Sequence, residues 1–276
     1  MSWRFFGGRP DPVLIVAAVI LIIFLFCALV PGLVATHDPF KMGPDLLKEP
    51  SRAYLFGTDE YGRDIFSRII HGTRVEFVVS GLGVAIAMII GVPIGLIAGF
   101  RGGWIDAVLM RFQDAVLAFP TVLFAILVVA AQGASQRSII LTVGVVFIPR
   151  FARLVRASVL AMKDQDFVIA SRAVGASDKR LIIRHILPNA LPSILVQITL
   201  TMAVAVLIEA GLSYLGLGVQ PPTATWGTML KAAQSFPAQA PWYVLAPGIC
   251  IFLLVLTLNL FGDGLRDRLD PRIRRL

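Results

Sequence analysis

The sequence predicts an all-α integral membrane protein with six transmembrane helices. Three observations carry that expectation. Hydrophobic residues make up 57% of the 276 positions and charged ones only 15%; mean hydropathy is +0.81; and the apolar residues gather in runs long enough to cross a bilayer. A soluble domain is roughly a quarter charged, so this chain lacks the polar residues to cover a water-facing surface. The same composition excludes disorder, which needs low hydrophobicity and high charge.

About 20 apolar residues span a bilayer as a helix. Residues 13–35 contain no charge. Arg4 and Arg9 precede them, as in a secretory signal peptide, but the apolar centre of such a peptide is roughly 7–15 residues long, so this run is read as a retained first span. Residues 77–100 form a second charge-free run, with Gly91, Gly95 and Gly99 at four-residue spacing. That stripe either lets another helix approach closely or reflects the general abundance of glycine in membrane helices. A third span is expected at about 107–131, with Arg111 and Asp114 in its first turns. The fourth starts at Ile139 and carries Arg150, Arg153 and Arg156 towards its far end; the fifth covers about 191–213 and the sixth 244–261.

Six spans put both termini on one side, and charge asymmetry says which. With that side cytoplasmic, the inner segments hold sixteen Lys and Arg and the outer ones eight, Arg111 lying inside a span. Cationic loops stay on the cytoplasmic side, so both termini are expected inside. The net charge of +8 is therefore assigned to topology and lipid contact, not to nucleic acid. Cys27 and Cys250 both lie in apolar runs, which offers neither a disulfide framework nor a metal site.

Catalytic motifs are missing. A phosphate-cradling Walker loop needs Gly-Lys followed by Ser or Thr, and the chain has no Gly-Lys dipeptide. There is no H-E-x-x-H and no G-x-S-x-G, and His37, His71 and His185 are far apart in sequence. The chain is read as no enzyme, with no catalytic or metal-ligating residue. Three intramembrane charges stand out, because each is costly in lipid. Arg111 and Asp114 share a helix face at three-residue spacing and are expected to neutralise each other as a structural pair in preference to relaying protons. Glu209, near the outer end of the fifth span, is either a hydrogen-bonded structural carboxylate or a pathway group.

The inner connection, residues 151–190, contains a short amphipathic pattern. Phe167, Ala170, Ser171 and Val174 fall on one helical face, and Asp164 and Asp166 suit a helix N-terminus. Gly175 is placed to end that helix in a left-handed conformation, Ser177 or Asp178 to cap a second one, and Pro188 to stop it. The small residues would let another protein approach the backbone; a membrane-surface helix has the same periodicity.

The pattern Ala170-Ser171, Gly175, then Ile186-x-Pro188 resembles the EAA loop of permease subunits in ABC importers. The family pattern opens Glu-Ala-Ala; here those positions read Ile169-Ala170-Ser171. The resemblance extends along the chain: Phe56-Gly57-Thr58-Asp59 with Gly62-Arg63-Asp64 and Ser67-Arg68, then Arg111-x-x-Asp114 with Pro120, then Leu212-Ser213-Tyr214-Leu215-Gly216-Leu217-Gly218 with Pro221-Pro222 and Trp226-Gly227. The tail, 259–267 followed by Leu269-Asp270-Pro271-Arg272, is similar to the "C" permease of the dipeptide/oligopeptide/nickel branch.

The resemblance implies a type I ABC importer permease fold with a cytoplasmic coupling helix. It divides the chain into residues 1–72 with the first span and an outer loop, a five-helix transmembrane domain at 73–263 with its coupling loop at about 164–188, and a cytoplasmic tail at 264–276. It implies contact with the ATPase through Phe167, Ile169, Ala170, Ser171, Val174, Gly175, Leu187 and Pro188. The implied partners are a homologous permease forming a heterodimer, two ABC ATPases that hold ATP and Mg, and an extracytoplasmic solute-binding protein. Peptides are the first choice of solute, nickel or another metal chelate the second. A stand-alone secondary transporter is the rival from another class, and it needs paired broken helices with ion ligands at mid-membrane.

Overall fold

Residues 12–269 are described by the computed structural model, and among them every regular element is a helix. Five helices are long and apolar enough to cross a membrane, six if the bent pair Gly103–Leu117 and Thr121–Gln132 counts as one span. The expected count of six holds with that pair as one span, and several boundaries move.

Helix α1 (Pro12–Leu29) ends where Val30 leaves helical geometry, and Pro31 starts the single turn α2 (Pro31–Val34). The first span is thus shorter than the charge-free run 13–35. It packs on the body of the protein: Leu14 is buried against Gly264, and Phe24 meets Trp226 edge-on at 6.0 Å between ring centroids. Residues 36–64 then form an irregular cap over one end of the bundle.

Helix α3 (Ile65–Arg101) has 37 residues, about 55 Å at 1.5 Å per residue, against a hydrocarbon core of about 30 Å. Its first turns precede the charge-free run 77–100 read as the second span, since Arg68, Arg74 and Glu76 interrupt the apolar pattern there. Burial explains the difference: Arg68 is 5% exposed and Glu76 is fully enclosed, so both face protein. Asp64 caps the helix, its carboxylate accepting from the Ser67 amide at 3.1 Å. Gly91, Gly95 and Gly99 lie against α6 (Gln136–Met162), so tightly that an added Cβ would meet Phe151, Ala152 and Val159. The glycine stripe is a close-packing face within this chain.

Positive φ at Gly102 (64°) and Gly103 (55°) turns α3 into α4 (Gly103–Leu117). The third span is not one helix. It breaks before Pro120, and α5 (Thr121–Gln132) leaves α4 at 88°, since proline cannot continue the hydrogen-bond ladder and its ring disfavours helical geometry in the residue before it. Ser135 caps α6 by accepting from the Ser138 amide at 3.1 Å.

Beyond α6 come α7 (Asp166–Ala173), α8 (Asp178–Leu181), a π-helical turn (Ile182–Ile186) and α9 (Leu187–Tyr214). Pro188 does not stop the helix that α8 begins; the backbone stays helical from Asp178 to Tyr214. In the wide turn the Leu187 amide bonds to the Ile182 carbonyl, and that extra room relieves the clash a proline ring makes with the carbonyl four residues earlier. Helix α10 (Trp226–Ala233) lies in the Gly- and Pro-rich connection between α9 and α11, held by a capping box between Thr225 and Thr228. Helix α11 (Pro241–Leu269) runs past residue 261. Two cores share α9: one joins it to α3, α5 and α6, the other to α3, α10 and α11.

Candidate functional site

Helix α7 sits at the bundle end opposite the 36–64 cap. Asp166 lies in its first turn and Arg172 in its last, each matching the helix dipole. Gly175 has φ +85°; its amide bonds to the Arg172 carbonyl at 3.0 Å and the Ala176 amide to the Ser171 carbonyl at 3.1 Å. These two bonds are the Schellman termination, as Gly175 was expected to provide. Ser177 precedes α8 as its N-cap residue, its carbonyl accepting from the Leu181 amide.

The helix is anchored by one face and bare on the rest. Val168 is fully buried, the Arg172 guanidinium lies over the Phe100 ring of α3 at 5.8 Å, and Phe167 meets His185 at 6.4 Å. Exposure reaches 40% at Phe167, 53% at Ile169 and 86% at Val174. Ala170, Gly175 and Pro188 are also exposed, while Ser171 and Leu187 are half-buried. Apolar and small side chains therefore cover a surface with no partner among the described residues.

Asp114 does not pair with Arg111. Its Oδ1 accepts from Arg153 Nη2 at 2.5 Å, tying α4 to α6, while Arg111 is exposed and in no ion pair among the described residues. Three-residue spacing identified the right helix face, but that face meets α6, whose guanidinium reaches the carboxylate first. A second link sequence reasoning missed lies a helical turn or two away: Arg156 Nε and Nη2 donate to both oxygens of Asp106 at 2.5 and 2.6 Å. Such a two-bond fork is stronger than a single contact. Arg150 stacks on Phe147 at 4.8 Å.

Glu209 is fully buried, and its Oε1 accepts from Ser213 Oγ at 2.7 Å. Beside it lies Glu76 of α3, also fully buried, at the same junction as Thr225 and Trp226; neither Glu76 oxygen nor Glu209 Oε2 has a hydrogen-bond partner among the described residues. Two carboxylates can only accept, so a hydrogen bond between these groups requires a proton on one of them. Glu209 thus stands enclosed where α3, α9 and the start of α10 meet. Glu76 was the residue to notice, a lone acid among Val75, Phe77 and Val78.

At the capped end, the Phe56–Arg68 motif folds into a buried ion network. Arg63 Nε donates to Asp59 Oδ2 at 2.6 Å, Arg68 Nε lies 3.5 Å from the same oxygen, and Arg68 Nη1 donates to the Pro39 carbonyl at 3.0 Å. Tyr243 Oη donates to Glu60 Oε2 at 2.8 Å, fastening α11 to the cap. These charges pin the cap to the bundle, which is why the motif has its spacing.

Comparison with known proteins adds relatives to this geometry. Residues 91–275 match the family model for the binding-protein-dependent transport system inner membrane component. The chain is 42% identical to the dipeptide transport system permease protein DppC of Alkalihalophilus pseudofirmus, over 99% of this chain and 90% of that one. It is 41% identical to the di/tripeptide permease DppC of Pseudomonas aeruginosa (92% and 86% covered) and 44% identical to the glutathione permease GsiD of Pectobacterium atrosepticum (83% and 77%). Among solved structures, an inward-facing MetNI methionine ABC transporter superposes with a TM-score of 0.60 at 18% identity, covering 73% of this chain and 96% of that one, which establishes the shared fold. The chain belongs to the family of binding-protein-dependent ABC importer permeases, as an inner membrane component of the peptide-transport group.

Proposed function

We propose that this chain is one half of the translocation pathway of an ATP-driven importer that takes up di- and oligopeptides. The observation that carries the reading is the bare, rigidly terminated helix α7. A lever that must receive force from another protein needs an uncovered apolar face and a stiff connection to the membrane spans, and α7 has both. Behind Gly175, the unbroken helical rod Asp178–Tyr214 leads from α7 to the Glu76–Glu209 junction at the far side of the bundle. Displacement of α7 is thereby delivered to the opposite membrane surface.

In this reading α7 faces the cytoplasm, with both termini on that side, and docks through Phe167, Ile169, Ala170 and Val174 onto one of two ABC ATPases. Those partners hold ATP and Mg. A homologous permease completes the pathway, and a solute-binding protein delivers peptide at the capped end. Binding and hydrolysis free energy shifts the permease between two states because the ATPase dimer prefers one arrangement of α7. The peptide names of relatives at 41–44% identity support peptides over nickel chelates as solute.

Affinity purification of the tagged chain from its native cells tests the assembly. The expected result is co-elution of a second permease and two ATPase copies; a chain that elutes alone from a mild detergent and still catalyses uptake overturns the proposal.

A further inference from the structure

A cleft of about 560 Å³ opens between the α3–α4 turn and the start of the α8–α9 rod. Its walls are arranged by depth. On α3, Ile97 and Phe100 precede Arg101, the last residue of the helix. On the rod, Lys179 lies in the first turn, and Ile182 and Ile183 follow one turn further into the bundle. Ile105 closes the α4 side. Both cations therefore stand at the end of the bundle and the apolar side chains stand deeper.

The charges are free to bind. Neither Arg101 nor Lys179 is in an ion pair among the described residues. Asp178, the single acid in the cleft, sits at the N-terminus of α8, where the helix dipole favours it. Arg172 of α7 packs over the Phe100 ring and brings a third cation to the same rim.

We propose that this cleft holds an anionic phospholipid of the adjoining leaflet, its phosphate on Arg101 and Lys179 and one acyl chain along Ile97, Phe100 and Ile183. Basic pockets between spans at the membrane surface are suited to anionic headgroups, and the depth order of cation and hydrocarbon matches that of a phospholipid. A water-soluble ATPase would approach α7 from the end of the bundle, whereas these isoleucines stand a turn deeper along the apolar rod. Because Phe100 also carries Arg172, the lipid braces α7 against α3 and its presence tunes the coupling helix. The inference holds whichever solute the transporter carries.

Native mass spectrometry of the intact transporter tests it, after reconstitution in nanodiscs of phosphatidylglycerol and phosphatidylcholine and release into mild detergent. The wild type is expected to retain phosphatidylglycerol in preference to phosphatidylcholine, and the Arg101→Gln/Lys179→Gln variant to retain one phosphatidylglycerol fewer. Equal retention by variant and wild type overturns the proposal. Should the double variant fail to assemble, a photoreactive amino acid in place of Ile183 in the otherwise wild-type complex decides: a lipid adduct supports the site, and an adduct to an ATPase or permease chain refutes it.

Discussion

Replacing Gly175 by valine perturbs the proposed coupling helix through its backbone alone. An added Cβ at this position meets nothing within 4 Å, so no clash with a neighbour contributes. The whole cost comes from φ +85°, where an L-residue is disfavoured by roughly 1–2 kcal/mol and a β-branched one is a true outlier. Relaxing to negative φ instead breaks the two terminating bonds from Gly175 and Ala176, each worth about 1 kcal/mol. Either route costs about 2 kcal/mol, a factor of up to about thirty in the population of the native hairpin. The assay is the apparent Kd of purified ATPase subunits for the solubilised permease. Gly175→Val is expected to weaken it by about that factor, and Gly175→Asn, which tolerates left-handed geometry, to stay near wild type. Valine binding as tightly as glycine, or asparagine failing equally, refutes the assignment of this turn as what aims α7.

Ala170→Glu places a bulky charge on the bare face of α7; the permease should insert normally while ATPase co-purification falls, and undiminished co-purification argues against that face. Asp114→Asn should change thermal stability of the complex by no more than about 1 kcal/mol, because its pair with Arg153 is roughly half exposed and such pairs are weak; Arg111→Met should not change the effect, whereas a dependence on Arg111 would restore the local pair. Gly95→Leu drives a side chain into the Ala152 carbonyl and Val155; overpacking typically costs about 1–3 kcal/mol, and recovered protein should fall several-fold, with normal yield showing that α3 and α6 can separate. Glu76→Gln should be tolerated, since an amide can donate to Glu209 Oε2, which has no donor among the described residues, whereas Glu76→Ala leaves a cavity beside that buried carboxylate and should lower thermal stability; equal stability of the two variants contradicts this contact.

The sequence showed most clearly what depends on local periodicity. The long apolar helices follow from apolar run length, and the turn at Gly175 follows from a glycine placed after an amphipathic repeat. What it hid depends on contacts between distant segments. Arg68 and Glu76 looked like loop residues because their partners, the 36–64 cap and Glu209, lie far away in the chain. The pairing of Asp114 with Arg153 was invisible to an i, i+3 rule for the same reason. Pro120 and Pro188 look alike in sequence but act differently: one allows an 88° break, while the other is absorbed by a π turn. The Trp226 indole, donating to the Ile69 carbonyl at 3.1 Å, secures a helix that a Gly- and Pro-rich composition had concealed.

Uptake of a labelled dipeptide by proteoliposomes containing the co-purified complex tests the central claim most directly. With binding protein outside and ATP inside, on the side of α7, peptide should accumulate, and collapsing the proton gradient should leave the rate unchanged. Uptake that proceeds without ATP and stops when the proton gradient is collapsed would contradict the account.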